Sequence, residues 1–170
     1  MRYTVFLMSC LLALASGCNS NATEPSPLLR QPAPGFSAAT LDGGRISLSE
    51  LKGQVVLLDF WATWCPPCRE GLPHLQALAK DADLAKRGLV VLAMNDGETP
   101  ETLHAFLDRM DHSYKVVLDP DASIAADYKV KAIPTSVIVG RDGVVQDVII
   151  GLAPDQVRAA VTRALQAPAP

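Results

Sequence analysis

Apolar residues along this chain fall into two patterns, unbroken runs and helically spaced stripes. Val55-Val-Leu-Leu-Asp-Phe60 and Leu89-Val-Val-Leu-Ala-Met94 are nearly continuous apolar runs, as expected of central strands covered on both faces. From Glu70 to Leu84 the residues Leu72, Leu75, Leu78 and Ala79 recur at helical spacing, which predicts a helix kinked by the internal Pro73. Thr99 is placed to cap a second helix that starts at Pro100 and buries Leu103, Phe106, Leu107 and Met110. Val116-Val-Leu118 predicts a short strand, and Asp119-Pro-Asp121 the entry to a short helix through Tyr128. Thr135 to Val139 and Val144 to Ile150 flank Arg141-Asp-Gly143, a hairpin signal. Pro154 to Leu165 predicts a last helix with Val157, Val161 and Leu165 inward. Ahead of all these, Phe36 to Leu41 and Arg45 to Leu48 flank Asp42-Gly-Gly44 and predict a first hairpin. The order ββ–βα–βα–βα–ββα describes an α/β domain whose mixed central sheet is covered by helices.

The two ends read differently. Arg2 precedes the apolar stretch Val5 to Leu14, and Ala15-Ser-Gly-Cys18 closes it with small residues. This is an export signal, too short for an ordinary spanning helix. Its end resembles a bacterial lipobox. The resemblance implies removal of residues 1–17 and lipidation of Cys18; ordinary signal cleavage nearby is the alternative. Either route makes the mature protein extracytoplasmic, and the lipidated form would be a lipoprotein anchored to the membrane and facing the periplasm. Residues 18–34, rich in Pro, Ser, Asn and Ala, read as a flexible tether, 35–166 as one domain and 167–170 as a disordered tail.

Composition narrows the function. The chain is 49% apolar but only 5% aromatic, so its core rests on aliphatic residues. A net charge of −3 without any cluster of Lys or Arg gives no electrostatic footprint for nucleic acid. No cofactor or metal site is expected, and the domain is expected to be a monomer. His74, His104 and His112 read as surface residues, and Glu98 and Glu101 as a solvated helix start.

The cysteines carry the chemistry. Of Cys10, Cys18, Cys65 and Cys68, the first leaves with the signal and the second would be acylated. Cys65 and Cys68 remain as a candidate redox pair. A disulfide closing so small a loop restricts the unfolded chain little, so a structural staple explains the pair poorly. Placed between a buried strand and a helix, Cys65 would face unpaired backbone N–H groups and the positive end of the dipole. Both favour the thiolate, the attacking species in disulfide exchange. Pro66 and Pro67 fit the first helical turn and stiffen the loop between the sulfurs. A zinc site would need a second ligand pair, and haem attachment a histidine where Arg69 stands.

Asp59-Phe-Trp-Ala-Thr-Trp-Cys-Pro-Pro-Cys68 resembles a thioredoxin active site, and Ile133-Pro134-Thr135 resembles that family's cis-proline segment. The first hairpin and the extra helix and strand across Thr99 to Leu118 resemble the TlpA/ResA-like branch of exported, membrane-tethered thiol–disulfide oxidoreductases. The resemblance implies a thioredoxin-like fold with an N-terminal hairpin and a central αβ insertion. It further implies a Cys65–Cys68 redox disulfide, with Cys65 as nucleophile and Cys68 as resolving thiol. Pro134 would be cis. The backbone of Ile133, with Thr135, would receive an extended client segment beside Trp64, Pro66 and Pro67.

Asp59 ends an apolar strand, where burial should raise its pKa and let it accept the Cys68 proton. Many TlpA/ResA-like proteins carry a glutamate three residues after the second cysteine; here Gly71 stands there and Glu70 is one residue early. The leading expectation is a protein-disulfide reductase acting on disulfide-containing exported proteins of the cytochrome c or copper-site assembly type, recharged by a membrane thiol donor. Oxidase or isomerase action is the nearest variant. A copper metallochaperone using the same cysteines is the alternative. A peroxidase would need Pro-x₃-Thr-x₂-Cys, and Thr63 stands only two residues before Cys65.

Overall fold

The computed structural model describes residues 26–168. The expected export signal, Cys18 and the first part of the tether lie outside the described residues. Among the described residues seven strands and five helices follow in the predicted order, a short helix over 82–86 being the one addition. A hairpin, β1 (Ser37–Ala39) and β2 (Arg45–Ser47), leads through a 3-10 turn at Leu48–Leu51 into β3 (Val55–Trp61). Then come α1 (Pro66–Lys80), α2 (Ala82–Lys86), β4 (Leu89–Asp96), α3 (Pro100–Leu107), β5 (Lys115–Asp119) and α4 (Ser123–Asp127). The hairpin β6 (Thr135–Val139) and β7 (Val145–Ile150) and the last helix α5 (Pro154–Gln166) complete the chain.

The five long strands form one mixed sheet in the order β5-β4-β3-β6-β7. Helical crossovers make β3, β4 and β5 parallel, whereas β6 runs antiparallel to β3 and β7 to β6. Period-two alternation splits β3 between two cores. Val55, Leu57 and Trp61 join Leu72, Leu75 and Leu78 of α1, Leu103 and Leu107 of α3 and Val157 and Val161 of α5. Val56, Leu58 and Phe60 join the opposite layer with Ile46, Ala125 and Tyr128. The near-continuous apolar run of β3 is therefore explained by burial on both faces.

Two boundaries differ from expectation. The helix expected over 70–84, with Pro66 and Pro67 in its first turn, begins at Pro66 but ends at Lys80. Asp81 then caps α2, its carboxylate accepting from the N–H groups of Asp83 and Leu84 at 3.2 Å each. Leu84 continues the apolar stripe across this break, which hides the break from the periodicity. The second difference lies in residues 26–34, expected as the end of a flexible tether. Arg30 N–H donates to the Val145 carbonyl at 2.8 Å, Val145 N–H donates to that of Gln31 at 2.9 Å, and Leu28 and Ala33 pack on the second core. The Tyr128 hydroxyl donates to the Pro34 carbonyl at 2.8 Å. This strap crosses the sheet and continues into the first hairpin, which reaches β5 through a bridge between Thr40 and Val117. Among the described residues no helix is long and apolar enough to cross a membrane.

Candidate active site

β3 delivers the dithiol. The chain leaves the sheet at Trp61, turns through Ala62-Thr63-Trp64 and enters α1 at Pro66. Cys65 is the N-cap of α1, in extended conformation, and the Cys68 backbone N–H donates to its Sγ at 3.2 Å. The sulfur thus lies where the unpaired N–H groups of the helix converge. Cys65 and Cys68 form a disulfide, with Cα atoms 5.2 Å apart. Pro66 and Pro67 occupy the first helical turn, exposed beside it.

The opposite wall comes from the start of β6. The Ile133–Pro134 peptide is cis, and the Ile133 carbonyl oxygen lies 3.7 Å from Cys65 Sγ. Pro134 is buried and Ile133 half-buried. Thr135 is buried as well, its hydroxyl donating to the Ala132 carbonyl at 2.6 Å. Its side chain holds the cis-proline turn, and its backbone is in register with Phe60 of β3 and Ile150 of β7. Trp64, next to Cys65 in the turn, is 65% exposed, while Cys65 and Cys68 are 3% and 2% exposed. Trp61 is fully buried against Phe106, with ring centroids 5.9 Å apart.

Behind the disulfide lies a cavity of about 90 Å³ lined by Asp59, Cys68, Pro134, Ser136 and residues of α1 and α5. That is room for several water molecules. Asp59 alternates with Leu57 and Trp61 and therefore points to the α1 side of the sheet. Burial pushes its carboxyl up to about 6 from an ordinary 3.8, opposed by the Ser136 hydroxyl, which donates to Oδ1 at 2.5 Å. Tyr114, pushed up to about 12 chiefly by burial and then by the Asp59 charge, stays neutral. The structure thus brings Asp59 and Cys68 to one cavity, while Cys65 Sγ faces the Ile133 carbonyl.

Glu70 is exposed on the outside of α1. At Gly71 a Cβ would meet Leu152 Cδ1 at 3.3 Å, so Leu152 fills the space a side chain there would need. His74 and His104 are exposed, as expected, and His112 is half-buried, stacked on Tyr114. Among the described residues no group of three or more His, Cys, Asp or Glu could hold a metal ion.

Two functional neighbours are absent from the sequence reading. Ser136 pairs in register with Asp59 across β3 and β6. Two polar residues breaking two apolar strands is the signal that could have joined them. Glu98, expected as a solvated helix start, is instead half-buried against the active-site turn. Its carboxylate accepts from Thr63 N–H at 2.7 Å, Thr63 hydroxyl at 2.5 Å and the Asn95 side-chain amide at 2.8 Å. Glu101 is exposed, as expected.

The sequence pattern of the AhpC/TSA family matches residues 29–148. Thioredoxin-like protein YneN of Bacillus subtilis is 42% identical over 123 residues, 71% of this chain and 71% of its own. Thiol-disulfide oxidoreductase ResA of Bacillus cereus is 34% identical over 119 residues, 70% of this chain and 68% of its own. Among solved structures, a thiol:disulfide interchange protein of the thioredoxin family from Chlorobium tepidum TLS superposes with a TM-score of 0.70 at 29% identity. The match covers 79% of this chain and 95% of that one.

Proposed function

This chain belongs to the AhpC/TSA family and is a thioredoxin-like thiol–disulfide oxidoreductase, and from that footing we propose that it is a tethered reductase of exported proteins. In this reading Cys65 attacks a client disulfide, Cys68 resolves the adduct and Asp59 takes the Cys68 proton. The backbone of Ile133, held by the turn that Thr135 closes, pairs with the client segment by strand addition, and Trp64, Pro66 and Pro67 form the apolar rim. The protein works as a monomer held to the membrane by a lipid on Cys18. A membrane thiol donor recharges it, and its clients are disulfide-containing proteins of the cytochrome c or copper-site assembly type.

One observation carries the reducing direction: the contacts of Cys65 Sγ. They are the Cys68 N–H and the Ile133 carbonyl, with no cationic side chain among them. A dithiol oxidises strongly when its reduced form is stabilised. Here the charged group buried beside Cys68 is the carboxylate of Asp59, which opposes a thiolate, while Arg158 at the same cavity is paired with Asp81. The oxidised pair is favoured and the dithiol is correspondingly reducing.

Thiol trapping in intact cells tests this directly. Quenching with acid and labelling with a maleimide of known mass should find Cys65 and Cys68 mainly reduced, and mainly oxidised after removal of the membrane donor. A pair that is mainly oxidised in untreated cells would sink the reducing direction.

A further inference from the structure

We propose that Glu98 is a positioning residue for thiol exchange: it clamps the turn that carries Cys65 and thereby sets the reactivity of that sulfur. The inference builds on the thiol–disulfide activity itself, and is independent of which client is reduced or in which direction.

Thr63 lies between secondary structures. β3 ends at Trp61 and α1 begins at Pro66, so neither ladder nor helix supplies a partner for the Thr63 N–H. Glu98, 35 residues away, supplies it. One oxygen accepts the N–H and the other the hydroxyl of the same residue, so both the position and the orientation of Thr63 are held. Bonds to an ionised acceptor are about twice as strong as neutral ones. The carboxylate is itself anchored to the sheet. Asn95 is fully buried near the end of β4, in register with Trp61, and its side-chain amide donates to Glu98 at 2.8 Å and to the Trp61 carbonyl at 3.4 Å.

Cys65 follows two residues later. Its N–H donates to the Ala62 carbonyl at 3.2 Å, so Ala62 to Cys65 form one tight turn with Thr63 inside it. Cys65 Sγ is held between the Cys68 N–H and the Ile133 carbonyl. Helix-end stabilisation of a thiolate is confined to the first turn. A turn released from Glu98 would let the sulfur drift from the N–H groups that favour its ionised form. Glu98 leads into α3, so the clamp also ties the inserted helix and strand to the reactive turn.

The test uses the reduced protein in a Cys68→Ser background, with iodoacetamide alkylation of Cys65 followed against pH. Glu98→Gln keeps the size, and its NH₂ can donate to the Thr63 hydroxyl turned to accept, but every bond to the turn becomes a neutral one. It should slow alkylation at pH 7 by about tenfold, the difference between hydrogen bonds to a charged and to a neutral acceptor, and move the profile to higher pH. Glu98→Asp keeps the charge without the reach and should show part of the same shift. Faster alkylation in Glu98→Gln together with wild-type behaviour in Glu98→Asp would mean that charge alone acts, and would overturn the proposal. So would a Glu98→Gln protein that melts earlier but keeps the wild-type pH profile. If Glu98→Gln does not fold, Thr63→Val removes only the hydroxyl donor and should shift the profile the same way, by about two- to threefold; an unmoved profile there overturns the clamp. A wrong client or direction would leave every one of these profiles unchanged.

Discussion

Cys68→Ser protein mixed with an oxidised client is expected to accumulate as a covalent adduct through Cys65, whereas Cys65→Ser forms no adduct and loses turnover by at least about a thousandfold. The two sulfurs differ in what they face. Cys65 Sγ sits at the helix N-cap beside the Ile133 carbonyl. Cys68 lies one turn into α1 and lines the inner cavity with Asp59. In the proposed reducing stroke the Cys65 thiolate attacks one client sulfur, and the other client sulfur leaves as a thiolate and is protonated. Cys68 then gives up its proton and attacks Cys65 Sγ, which releases the second client thiol and forms the Cys65–Cys68 disulfide. Two electrons pass to the client and two protons end on its thiols. Serine at position 68 stops the sequence after its first half. Non-reducing electrophoresis with mass analysis of the adduct reads the result, and an adduct formed through Cys68 in the Cys65→Ser protein would reverse the assignment.

Asp59→Asn should slow release of that mixed disulfide by on the order of 100-fold near pH 7, the usual scale for removing a general base. It should also change how stability depends on pH, with a sign that follows from burial. The folded-state carboxyl titrates at about 6, above its ordinary 3.8. The stabilisation carried by the protonated form is fully present below pH 4 and is lost as pH rises through 6. A shift of about 2 units corresponds to about 3 kcal/mol at 1.36 kcal/mol per unit. Wild type should therefore lose about 3 kcal/mol relative to Asp59→Asn between about pH 4 and about pH 7.5. Comparing one variant with wild type across pH cancels any fixed packing cost of the amide. Urea unfolding at several pH values gives the curve, and parallel curves for the two proteins would show that Asp59 ionises without cost. Release kinetics that keep the wild-type pH dependence in Asp59→Asn would remove it from the proton path.

The features legible in the sequence are those that local pattern controls. The continuous apolar runs gave the strands buried on both faces, and the turn residues gave both hairpins. The dithiol could be placed at a helix entry because Cys65 is preceded by a strand and followed by two prolines. Contacts distant in sequence stayed hidden. Glu98 looked like a first-turn acid because Thr99 and Pro100 mark a helix start, and nothing local points to Thr63. Ser136 looked like one polar break in an apolar strand until register set it against Asp59. The end of α1 was masked because Leu84 keeps the stripe although Asp81 ends the helix. The docked strap was hidden for a compositional reason. Residues 26–34 are rich in proline, and their bonds run through backbone atoms to β7, which side-chain pattern does not report.

That strap also bears on how the domain avoids pairing edge to edge with other copies. Between Arg30 and Leu41 one stretch of backbone bonds to both outer strands of the sheet, to Val145 of β7 at one side and Val116 of β5 at the other. Outer strands with free N–H and C=O groups are templates for joining one sheet to another. The first part of the domain to emerge from the ribosome or the export channel is thus a built-in guard for edges made later. A protein cut after Leu41 should keep the dithiol but expose both flanks. It should appear in light scattering as growing oligomers at concentrations where the intact domain stays dispersed.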